Sequence, residues 1–279
     1  MFVDASHHDD RLNINIDIVF PKMPCEVLTL DIMDIMGTHI VDIGGSLYKK
    51  GLSQNGEFVS ETSMLGGIQT RQDLLKRIKD EMDQKQGCQL KGFFNINRVP
   101  GNFHISSHSQ KDLIVNLEMQ GYTFDFTHKI NHVSFGRQED FKVIQKNFKQ
   151  QGVLNPLDGL EFSANQDNKG KPQALATNFF MVAVSSYYMD TNRNTYNMYQ
   201  LTSTHKSQSN ANVNENMLVF SYELSPIKVL FNQEKENIVD FMIQLCAIIG
   251  GVFTISSVVD TIIHRSVSLL FKQRIGKLS

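Results

Sequence analysis

Residues 12–20, LNINIDIVF, set an apolar face (Leu12, Ile14, Ile16, Ile18, Phe20) against a polar one (Asn13, Asn15, Asp17). That period of two predicts a half-buried antiparallel strand. Pro21 and Pro24 end it, and residues 26–34 resume the alternation. Residues 38–43 form a further candidate strand, closed by Gly44 and Gly45. Residues 53–67 turn to Ser, Gly, Asn and Thr, which predicts a long, exposed, mobile loop. In residues 71–86, RQDLLKRIKDEMDQKQ, the positions Leu74, Leu75, Ile78 and Met82 share one helical face, and Gly87 supplies a stop. Short strands are predicted at 88–96, 102–106, 113–119 and 121–130, the last placing Phe124, Phe126, His128 and Ile130 on one side. A polar loop over 147–170 contains the turn Asn155-Pro156-Leu157-Asp158-Gly159. Strands at 176–188 and 196–205 flank the turn at 190–194, and a low-complexity stretch at 207–216 precedes strands at 217–224 and 227–231. About a dozen strands with one amphipathic helix predict a mainly β protein, an antiparallel β-sandwich or a barrel-like relative of it.

The pattern changes at residues 241–259, FMIQLCAIIGGVFTISSVV, a run of 19 residues without a formal charge. As a helix it would cover about 28 Å, close to the roughly 30 Å of bilayer hydrocarbon. A buried core helix is the alternative, because Gln244, Thr254, Ser256 and Ser257 moderate its hydropathy. Glu234, Glu236 and Asp240 precede the run, whereas His264, Arg265, Lys272, Arg274 and Lys277 follow it. By the positive-inside rule the tail faces the cytosol and the large N-terminal region faces the lumen. The chain then divides into a luminal β-rich domain (1–235), a transmembrane helix (236–263) and a cytosolic tail (264–279). Ala247 and Gly251 form a small-xxx-small pair beside Gly250, a candidate surface for pairing with a second helix. One difficulty follows. Residues 1–11, MFVDASHHDDR, carry no secretory signal that would bring the large region into the lumen. Either the start is truncated, or the orientation is reversed, or the helix stays in a core.

A net charge of −2 argues against bulk nucleic-acid binding. Of three cysteines, Cys246 lies inside the apolar run, leaving Cys25 and Cys88 available for a disulfide in an oxidising lumen. No CxxC, CxxH, HExxH, GxSxG or phosphate-binding loop is present, so neither redox catalysis, structural zinc nor hydrolysis has support, and no cofactor is expected. His104, His128 and His132 concentrate titratable groups inside strands; with His128 and His132 on one face they are structural histidines or pH sensors. His7 and His8, beside Asp9 and Asp10, are a weak metal or surface cluster, and their place at a polar terminus favours solvated side chains.

Six blocks in order carry a resemblance: NINIDIVFPKMPCEVLTLDIMD from Asn13, GCQLKGFFNINRVPGNFHIS from Gly87, FTHKINHVSFG from Phe126, NPLDG from Asn155, FSYELSPIKV from Phe220 and LCAIIGGVFTISSVVDTII from Leu245. Together they resemble the Erv and ERGIC proteins of vesicle transport between endoplasmic reticulum (ER) and Golgi. The resemblance implies a β-rich luminal domain held between two membrane helices, so this chain looks like a member lacking its N-terminal tail and first helix. It further implies a cargo receptor of ER, intermediate-compartment and Golgi membranes, with luminal cargo, a related subunit and the COPII and COPI coats as partners. Leu269, Leu270 and Phe271 would be the coat-binding signal; Lys277 stands third from the end, but Ile275 and Gly276 leave a dilysine signal incomplete. A disulfide-isomerase-type enzyme is the runner-up, lacking the CxxC it would need, and a scaffold that touches no cargo is a third reading.

Overall fold

The computed structural model describes residues 2–3, 11–34, 37, 44–63, 70–147, 155–210, 213, 215–235 and 237–275. The chain separates into two compact units, Met1–Asn232 and Gln233–Ser279. In the first unit the strands are β1 (Phe2–Val3), β2 (Leu12–Phe20), β3 (Thr29–Asp34), β4 (Gly44–Leu52), β5 (Phe58–Ser63), β6 (Gly87–Ile96), β7 (Gly101–Ser106), β8 (His128–Phe135), β9 (Glu161–Phe162), β10 (Leu175–Met189), β11 (Thr195–Ser209) and β12 (Met217–Asn232). Helices α1 (Arg71–Asp83), α2 (Lys111–Met119) and α3 (Gln138–Asn147) accompany them, with short 3-10 turns at Cys25–Val27 and His108–Gln110.

Among the described residues, two six-stranded sheets form the unit: β11-β10-β12-β7-β3, with β1 added to β12, and β5-β4-β6-β2-β8-β9. The inward residues of β2 (Ile14, Ile16, Ile18, Phe20) and β6 (Leu90, Phe94) meet those of β7, β10 and β12 in one buried core. Phe179, Phe220 and Phe103 stack in sequence across the first sheet, with ring centroids 5.1 and 4.7 Å apart. Phe94 of the second sheet meets Phe103 edge-on at 5.3 Å and ties the two layers together. Burying each such ring stabilises the fold by about 1.5–3 kcal/mol. A second, smaller core forms where α3 places Ile144 beside Tyr188 and Met198 on β10 and β11.

The sandwich follows the predicted alternation, with six corrections. Residues 113–119 are helical: Leu113 and Leu117 are the buried positions of α2, whereas Val115, which a strand would place on the same face, is exposed. α3 adds a third helix, so the unit has more than one amphipathic helix. The predicted strand at 121–130 starts only at His128, because Asp125 Oδ1 accepts hydrogen bonds from the amide and hydroxyl of Thr127 (3.0 and 2.6 Å) in place of a ladder. Residues 58–63, expected in a loop, form the edge strand β5 against β4, with every residue exposed. The predicted strands 217–224 and 227–231 are a single strand whose register against β10 shifts around Ser225 to Ile227, where Pro226 lacks a ladder donor. β10 and β12 pair in parallel, so that sheet is mixed rather than wholly antiparallel. The candidate strand at 38–43 lies outside the described residues.

Cys25 and Cys88 are joined as a disulfide across 63 residues of sequence, pinning the turn after β2 to the start of β6. The second unit contains one continuous helix, α4 (Ile238–Ile275), which runs past residue 263 into the stretch assigned to a tail. Ile238–Ser268 is long and apolar enough to cross a membrane, and none of its most apolar window is buried.

Candidate functional site

The outward positions of the first sheet line up across five strands. Thr204, Phe180, Ser221, Asn102 and Met33 are successive register partners on β11, β10, β12, β7 and β3. Lys206, Asn178, Val219, His104 and Asp31 form the neighbouring row. Between the first row and Val182 and Glu223 lies a cleft of about 580 Å³. Phe180 and Val182 stand in it 56% and 43% exposed, although strand alternation sends their neighbours Phe179, Met181 and Ala183 into the core. Large apolar side chains raised on a sheet face among hydroxyls and an amide suit contact with another protein surface.

His104 sits directly opposite Asp31, with Nε2 3.7 Å from Asp31 Oδ2. His108, in the turn after β7, brings its Nε2 to 3.9 Å from the same oxygen. The two rings lie 5.8 Å apart. Ser106, fully buried, hydrogen-bonds His108 Nδ1 and fixes that ring.

The other two histidines belong to the second sheet, so the three candidates do not form one cluster. Nor do His128 and His132 share a face. Asp17 pairs with His132 but Ile18 pairs with Ile130, which leaves Asn131 as a bulge and reverses the side of every later residue. His128 points inward among Phe20, Phe126 and Phe162, fully buried, with Nδ1 donating to the Phe126 carbonyl at 2.9 Å. Burial pushes its pKa down to about 4, against a smaller upward pull from that hydrogen bond. It therefore stays neutral in both neutral and mildly acidic compartments, and the pH-sensing expectation fails for His128. His132 points outward. Its Nδ1 is 3.1 Å from Asp158 Oδ2 of the Asn155–Gly159 turn, its Nε2 is 2.9 Å from Ser134 Oγ, and its ring packs on Phe141 of α3.

Residues 68–260 match the family profile described as endoplasmic reticulum vesicle transporter, and residues 1–41 match that of the Endoplasmic Reticulum-Golgi Intermediate Compartment (ERGIC) proteins. The chain belongs to the endoplasmic reticulum vesicle transporter family. This transporter is 28% identical over 284 residues to endoplasmic reticulum-Golgi intermediate compartment protein 1 of Xenopus laevis, spanning 100% of this chain and 81% of that relative. It is 27% identical over 339 residues to probable endoplasmic reticulum-Golgi intermediate compartment protein 3 of Dictyostelium discoideum, covering 98% and 84% of the two chains. The crystal structure of Erv41p shares the fold at a TM-score of 0.52 and 19% identity, over 82% of this chain and 97% of that one. The transporter is accordingly a membrane protein of the ER–Golgi intermediate compartment, in a family of transport proteins rather than known enzymes.

In this transporter a further titratable cluster lies beside the disulfide. The Glu81 carboxylate of α1 accepts the amide of Glu26 at 3.3 Å, and Arg77 Nη1 is 3.4 Å from Glu26 Oε1. Burial raises the Glu81 pKa to about 7, with repulsion from Glu26 adding to it and Lys49 and the amides of Cys25 and Glu26 opposing it. Burial also lowers the Lys49 pKa, while Glu26 and Glu81 raise it. Neither this cluster nor His108 is legible in sequence: the alternation shows which side chains face in, but not that α1 lays Glu81 over the amides after Pro24. On α4, Ala247, Gly250 and Gly251 are exposed, and a Cβ added to either glycine meets no atom within 4 Å. Leu269, Leu270 and Phe271 continue the same helix, and Lys277 lies outside the described residues. His7 and His8 lie outside them as well.

Proposed function

We propose that this transporter is a cargo receptor that cycles between ER and Golgi in coated vesicles, holding soluble luminal proteins on the outer face of its first sheet. The observation that carries the reading is the cleft spanning five strands with Phe180 and Val182 raised from it. Its mechanism is binding and release, without bond chemistry; the absence of a CxxC agrees with that. α4 crosses the membrane with the N-terminal unit in the lumen, and Ala247, Gly250 and Gly251 let the helix of a related subunit approach closely. Leu269, Leu270, Phe271 and Lys277 engage the COPII and COPI coats from the cytosol.

Besides His104, the candidate for release driven by compartment pH is His132. Asp158 faces it directly, Asp17 is its register partner across the sheet, and Lys91 holds Asp17 at 2.8 Å.

Quantitative mass spectrometry of vesicles budded from ER membranes tests the reading. Removing the transporter should deplete a defined subset of soluble luminal proteins while general cargo is unaffected. Vesicle content unchanged by removing a transporter that is packaged normally when present would leave only a scaffold.

A further inference from the structure

Asp31, His104 and His108 present one carboxylate and two imidazole donors that all lie within 4.8 Å of one another. At 3.7 and 3.9 Å, the separations from Asp31 Oδ2 to the two ring nitrogens are too long for hydrogen bonds. They are close to the spacing of ligands around a small ion. Bonds of about 2.0–2.2 Å in tetrahedral geometry put neighbouring donors roughly 3.3–3.5 Å apart. Asp31 Oδ2 is itself buried and has no hydrogen-bond partner. A carboxylate oxygen removed from water without a donor is costly, and a cation on its unpaired lone pairs removes that cost.

The remaining parts of the arrangement agree. The bond between Ser106 and His108 Nδ1 occupies one ring nitrogen and leaves Nε2 directed at Asp31, the outer-shell arrangement that orients metal-binding imidazoles. The scaffold is preformed: Asp31 and His104 are register partners on β3 and β7, and His108 follows in the turn that leaves β7. His108, with 40% of its side chain accessible, gives an ion a route from solvent, while His104 is only 12% accessible. Two imidazoles and a carboxylate suit zinc better than calcium or magnesium, which take oxygen ligands.

We infer that Asp31, His104 and His108 form a zinc-binding site, with a fourth position left for water or a donor from another molecule. The ion ties the edge strand β3 and the turn at His108 to β7, on the same sheet face as the cleft and one register row beyond Asn102 and Met33.

Full-length, untagged protein in detergent, stripped with a chelator, is titrated with Zn²⁺ against a chromophoric competitor, and Co²⁺ is substituted to read coordination by visible absorption. Asp31→Asn keeps the side-chain shape, and His108→Gln changes an accessible residue. Circular dichroism verifies that both variants are folded. One tightly held Zn²⁺ per chain is expected, with tetrahedral Co²⁺ bands. Each variant should weaken binding by more than the roughly 100-fold that an outer-shell partner is worth. A His7→Gln/His8→Gln control should bind as wild type. Failure to retain zinc, or wild-type affinity in either Asp31→Asn or His108→Gln, overturns the assignment.

Discussion

At pH 7 the imidazole of His128 is neutral, caged by Phe20, Phe126 and Phe162, and its Nε2 is buried without a partner. Its folded pKa of about 4 lies below the ordinary 6.5, so between those values the unfolded chain binds more protons than the native one. Its contribution is complete above pH 6.5 and is lost as pH falls towards 4, an effect of roughly 3 kcal/mol. Glu81 has the opposite sign. Its folded pKa of about 7 lies above the ordinary 4.5, so its contribution is present below pH 4.5 and is lost as pH rises through 7. Denaturant unfolding between pH 4.5 and 8 separates the two. His128→Phe should remove the acid-side loss of stability, and Glu81→Gln should reduce the loss on the alkaline side. Unaltered pH profiles in both variants would contradict these assignments. The group tuned into the range of the secretory pathway is thus a glutamate that composition does not single out, while a histidine chosen for its residue type is silenced by the apolar face on which it lies.

At the scale of elements, period-two alternation made β2, β6, β7, β10 and β11 legible, because each has one face in a single large core. It misled at residues 113–119, where Val115, Leu117 and Met119 alternate as in a strand while Leu113 and Leu117 satisfy a helix equally well. Alternation also conveys nothing about a one-residue bulge, and Asn131 alone separates His132 from the face that His128 occupies. The site was less legible than the fold. His104 was singled out as a histidine in a strand, but its partners Asp31 and His108 depend on the pairing of β3 with β7 and on the turn that follows. The disulfide joins elements that sequence places far apart, and closing a 63-residue separation should stabilise the unit by about 4 kcal/mol in the chain-entropy account. A Cys25→Ser/Cys88→Ser protein should therefore unfold at markedly lower denaturant concentration. An unchanged midpoint would show that the surrounding packing, not the bond, holds the turn after β2.

At the scale of the whole molecule, the chain comprises a large β unit and a helix able to cross a membrane, to which the proposed reading gives recognition and anchoring respectively. On that reading, polar groups spread over five strands would supply orientation-dependent contacts, and the exposed Phe180 and Val182 the apolar area that makes binding favourable. On the second sheet Phe58 and Val59 are exposed as well, but they lie on the edge strand β5 and not in a row across five paired strands. Recognition through the first sheet therefore predicts where cargo is touched. Photo-crosslinking from a reactive amino acid placed at Phe180, in transporter assembled in ER membranes, measures that contact directly. The account predicts covalent adducts to soluble luminal proteins, lost when Val182 is also changed to Glu. Adducts confined to a membrane subunit, or none from position 180 while the protein is folded and packaged, would contradict it.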